Sequence, residues 1–138
     1  MEIKNFNLGL GIGDERYEKQ SYIFKNNIED IISEIKSNNI YSENKINVII
    51  GGNSKFFIDL SLDYSIGLNQ WQGSLENLNK KIDVFKKSNM NISNLSYCTK
   101  NLKFSGKEFN ESIEIIYVLS EKKTFKDQID DINKYCLN

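Results

Sequence analysis

A chain of 138 residues is the length of one domain and can bury about two thirds of its unfolded surface. Its 18 basic and 19 acidic residues leave a net charge of −1, so no global field draws it toward phosphate backbones or anionic lipid. It contains no histidine, which removes the commonest general base, the usual partner of a nucleophilic Ser or Cys and the commonest metal ligand.

The first apolar alternation places Phe6, Leu8, Leu10 and Ile12 on one face and Asn7, Gly9, Gly11 and Gly13 on the other, predicting a half-buried strand. The glycines are expected to lie beneath a close neighbour or to form a bulge. They do not enter a helix as a dinucleotide loop requires, and Asp14-Glu15 follows where a phosphate loop carries Lys and Ser or Thr. A second strand is expected around Tyr22 and Phe24. Asn27 then caps a helix whose Ile28, Ile31, Ile32 and Ile35 form one stripe, with Glu29 and Asp30 in its first turn.

Ile46, Val48 and Ile50 read as a strand, and Gly51-Gly52-Asn53-Ser54 as a hairpin turn into a return strand through Phe56, Ile58, Leu60, Leu62 and Tyr64. After an unassigned passage containing Gly67, Trp71 and Gly73, Ser74 caps a helix carrying Leu75, Leu78, Ile82 and Phe85, which stops at Asn89. Leu95, Tyr97, Leu102 and Phe104 suggest one or two short strands. Residues 113–119, apolar on both faces, predict a central strand. Thr124 and Asp127 form a capping pair for a closing helix striped by Phe125, Ile129, Ile132 and Cys136.

The expected fold is therefore a single α+β domain over residues 1–138. It has an antiparallel or mixed sheet of about six strands and three helices in ββα-ββα-ββα order. Cys98 and Cys136 lack CxxC spacing and are expected to be reduced core thiols. No basic segment followed by an apolar run opens the chain, and no stretch approaches the roughly 20 apolar residues of a membrane span, so a cytoplasmic location is expected.

No residue set carries a catalytic signature, and neither a cofactor nor a metal is expected. On the predicted strand, Asp59 and Asp63 share a face about 13 Å apart, beyond the reach of a two-carboxylate site. Glu29, Asp30 and Glu34 line the first helix, and the chain divided between residues 69 and 70 carries −3 and +2. Trp71, flanked by Gln70 and Gln72 with Tyr64 nearby, is an aromatic of the kind that anchors interfaces. These seven residues, Asp59, Asp63, Glu29, Asp30, Glu34, Tyr64 and Trp71, are the candidate partner-binding set. Acidic groups so grouped could imitate a phosphate backbone in the basic cleft of a nuclease.

In size, composition and expected architecture the chain resembles the small immunity proteins that neutralise bacterial polymorphic or contact-delivered toxins. The resemblance implies a cytosolic, non-enzymatic inhibitor that occludes a cognate protein toxin, with no direct contact to nucleic acid or membrane. Two other classes stand beside it: a structural or phage-encoded assembly protein, and a carboxylate-based enzyme or ligand-binding domain using Asp59, Asp63, Glu114 and Tyr117.

Overall fold

The computed structural model describes residues 6–11, 21–38, 46–101, 113–118 and 123–135. Among these, five strands and four α-helices follow in the order β1 (Phe6–Gly11), α1 (Ser21–Ser37), β2 (Ile46–Gly51), α2 (Lys55–Asp63), β3 (Gly67–Trp71), α3 (Leu75–Lys87), β4 (Leu95–Thr99), β5 (Glu114–Tyr117) and α4 (Phe125–Tyr135). A single 3-10 turn, Ile92–Asn94, leads into β4. The strands form one parallel sheet in the order β1-β2-β3-β4-β5.

This overturns the antiparallel or mixed six-strand sheet with three helices. The cause lies in two segments. Tyr22 and Phe24, read as a strand, lie within α1, and the expected return strand through Phe56, Ile58, Leu60 and Leu62 is α2. The alternation in Phe56–Leu62 is real but incidental, because Phe57, Leu60 and Ser61 are the buried residues and their i, i+3, i+4 spacing is that of a helix. Once both segments are helical, the first two expected strand pairs become strand–helix–strand crossovers, the usual way of joining adjacent parallel strands. The ββα-ββα-ββα order does not survive.

Two compact units divide the chain, Met1–Leu68 and Asn69–Asn138, with the boundary inside β3. In the first, Phe6–Gly11 pairs with Ile46–Gly51 residue for residue, without a bulge. Val48 and Ile50 are buried and face the same side as half-buried Leu8 and Leu10, while Asn7, Gly9 and Gly11 are exposed on the other side. A Cβ at Gly9 or Gly11 would have nothing within 4 Å, so neither the close neighbour nor the bulge expected there exists. Ile12 and Gly13 lie outside the described residues.

Ile28 and Ile32 of α1 are fully buried, as their stripe predicts, although the helix begins at Ser21 instead of after Asn27. At its far end Lys36 Nζ donates to the carbonyl of Tyr64. Helix α2 closes in a Schellman motif. The Ile66 amide donates to Ser61 O at 3.0 Å and the Ser65 amide to Leu62 O at 3.2 Å, with Ser65 left-handed at φ 50°.

In the second unit, Ser74 Oγ accepts from the Asn77 amide at 3.2 Å, the cap expected for α3. Leu78, Ile82 and Phe85 are buried along that helix. Its end repeats the Schellman closure: Met90 N donates to Phe85 O, Asn89 N to Lys86 O, and Asn89 has φ 54°. All of β4 is buried. The strand expected to be central, β5, is instead the last of the described strands in the sheet order, with Ile116 40% exposed. Helix α4 has the expected cap, Thr124 Oγ1 donating to Asp127 Oδ2 and accepting from the Asp127 amide. Two members of its expected core stripe are exposed, however, Phe125 at 73% and Ile129 at 37%, while Ile132 is half-buried and Gln128 buried. Cys136, Leu102 and Phe104 lie outside the described residues.

Candidate interaction surface

Trp71 ends β3, in the passage that resembles a loop in sequence because Gly67, Gln70, Gln72 and Gly73 surround it. Alternation settles its face: Leu68 and Gln70 point one way, Asn69 and Trp71 the other. The Gln72 amide donates to Cys98 O at 2.7 Å, which in a parallel ladder aligns Trp71 with Cys98 and Asn69 with Ser96. A bond from Asn69 Nδ2 to Ser96 Oγ at 2.8 Å marks the same face. On the other side of β4, Ser96 is aligned with Glu114 and Cys98 with Ile116.

Two cross-strand rows result, Asn69–Ser96–Glu114 and Trp71–Cys98–Ile116. The second has a small buried centre, Cys98, between two large apolar side chains, with Trp71 50% and Ile116 40% exposed. Burial raises the Cys98 pKa, so its thiol stays protonated and chemically quiet between them. The polar row beside it supplies the half-buried amide of Asn69, which is bound to the buried Ser96 hydroxyl, and the exposed carboxylate of Glu114.

The turn that follows Trp71 is fixed by hydrogen bonds to its backbone. Gln72 and Gly73 are both left-handed, at φ 51° and 89°. Buried Gln70 reaches across that turn, its Nε2 donating to Gln72 O at 2.9 Å and Ser74 O at 3.3 Å. Tyr97 Oη donates to Gly73 O at 3.1 Å from the neighbouring strand. A rigid aromatic loses little conformational freedom when a partner covers it, and burying its exposed half is worth about 2–3 kcal/mol.

The other candidates belong to the first unit. Glu29, Asp30 and Glu34 are all exposed on α1, with Asp30 and Glu34 one turn apart. Asp59 and Asp63 also lie one helical turn apart on α2, which replaces the 13 Å separation expected on a strand; Asp59 is bound by Lys55 at 2.6 Å and Asp63 is exposed. Tyr64 caps α2 and is half-buried, its carbonyl taken by Lys36. Of the groups suggested for an enzyme, Glu114 and Tyr117 fall on opposite faces of β5 and form no common site. Among the described residues no three Cys, Asp or Glu side chains converge as a metal site would require.

Neither the exposure of Ile116 nor the alignment of Asn69 with buried Ser96 was legible in sequence. A strand apolar on both faces conceals which face is open, and the unassigned β3 left no neighbour against which to align it. Among the described strands the order shows no reversal of the kind at which open parallel sheets place their ligand crevices.

No protein-family model matches the chain, and no characterised protein or solved structure matches it. No described helix is long and apolar enough to cross a membrane.

Proposed function

We propose that this chain is a protein-binding inhibitor of the immunity-protein kind, which neutralises a cognate toxin by covering its active site and performs no chemistry of its own. The observation that carries the reading is the clamped, half-exposed Trp71 aligned through Cys98 with half-exposed Ile116. Such a row supplies the desolvated centre of an interface, and half-buried Asn69 and exposed Glu114 supply polar contacts beside it. The exposed carboxylates of Glu29, Asp30 and Glu34 favour a toxin domain with a basic cleft, such as a nuclease, by speeding its approach.

The test is co-expression with the products of neighbouring genes, followed by copurification and titration of the partner's activity. A stable complex with loss of partner activity supports the proposal. Trp71→Ala is expected to weaken that complex at least about 30-fold, the scale of an interface hot spot of about 2 kcal/mol. An unchanged affinity removes this face from the reading. Turnover of a substrate by the purified chain, lost on changing one residue, removes the inhibitor reading itself.

A further inference from the structure

Strand β1 forms one edge of the sheet, and among the described residues no strand pairs with its outer side. Exposed edges are commonly protected by charges, proline, bulges or shortness. Here the six residues Phe6–Gly11 contain no charged residue and no proline, and they run in unbroken register with β2. The last of the described strands, β5, has only four residues and begins with Glu114. Among the described residues, the outer backbone N–H and C=O groups of β1 thus meet no other strand and offer a template for one.

We infer that β1 pairs antiparallel with β1 of a second copy of this chain, about a two-fold axis at Gly9, joining two sheets into one. Strand addition reads a foreign peptide through pockets for its alternate side chains. The exposed face of β1 offers only Asn7, Gly9 and Gly11, with open space around both glycines, and so has nothing with which to read foreign side chains. Self-pairing needs no such pockets. With Gly9 on the axis, Leu8 meets Leu10 of the second copy on the inner face, extending the apolar layer of Val48 and Ile50. Asn7 meets Gly11 on the outer face, and no like charges oppose each other. This inference is independent of the Trp71 surface.

Sedimentation equilibrium of the full chain over a wide concentration range tests it. The native chain is expected to dimerise, with the amide protection of residues 7–11 rising with concentration. Gly9→Lys and Gly9→Glu, whose side chains enter open space, are each expected to raise the dimer dissociation constant at least about tenfold at low salt, by placing like charges on the axis. Mixing the two variants is expected to restore dimers as a heterodimer. Amide exchange within β2 and circular dichroism verify that both variants fold. A native chain that is monomeric at every concentration overturns the inference. So does a dimer indifferent to both charges, or a mixture that fails to pair.

Discussion

The hydroxyl of Tyr97 on β4 donates to the carbonyl of Gly73, two residues beyond Trp71, so the turn that follows the indole is tied to the neighbouring strand by a hydrogen bond of 3.1 Å. Tyr97→Phe removes the donor without changing ring volume. The expected cost in urea unfolding is about 0.5–1.5 kcal/mol. Because the left-handed turn at Gln72 and Gly73 loses one of its clamps, affinity for a bound partner should fall as well, with Trp71 itself intact. A loss of stability with wholly unchanged affinity would show that the turn does not position the indole.

Gly52 is required by space. A Cβ there would lie 2.0 Å from Cδ2 of the buried Phe57 ring. Gly52→Ala is expected to destabilise the protein by about 1–3 kcal/mol, the usual cost of overpacking. Phe57→Leu in the same chain should recover part of that loss, giving a coupling energy in a double-mutant cycle. Strictly additive losses would mean that the ring is not the obstacle.

Both Schellman closures place a non-glycine residue in the left-handed region, Ser65 after α2 and Asn89 after α3. Ser65→Gly is expected to stabilise by about 0.5–1 kcal/mol, a rise of roughly 2–4 °C in the unfolding midpoint. Asn89→Gly should gain less, since asparagine tolerates that conformation better than serine. The order of the two gains, read by thermal unfolding, is the test.

Lys81 is 3% exposed on α3, and burial lowers its pKa from 10.5 to about 8. Between those values the unfolded chain holds a proton that the folded chain has released, so this residue makes stability rise with pH across the window. Burial of Cys98 raises its thiol pKa and acts in the opposite direction as pH rises. Comparison with Lys81→Met cancels the Cys98 effect. The stability of the native chain relative to this variant is expected to increase from about pH 8 to about 10.5 in denaturant titrations; a constant difference would contradict it.

Local signals in the sequence were dependable where one residue and its near neighbours decide the outcome. Ser74 and Thr124 cap the helices expected of them, Asn89 ends α3, and Ile28 and Ile32 enter the core. Strand β1 alternates as its letters suggest. The segment from Phe56 to Leu62 fits a strand period and a helix period at once, and the burial of Phe57 and Ser61, both off the strand alternation, decides between them.

What the chain determined by itself is the absence of imidazole chemistry, a near-neutral charge, and the position of most of its helices and strands, because these follow from residue identity and local hydrogen bonding. Tertiary structure decided that the strands run parallel, that β5 comes last among the described strands, and that Trp71, Cys98 and Ile116 share one row. Strand direction and register depend on which distant segments pair, and residues as far apart as Trp71 and Ile116 carry no mark in sequence of the neighbour they will meet.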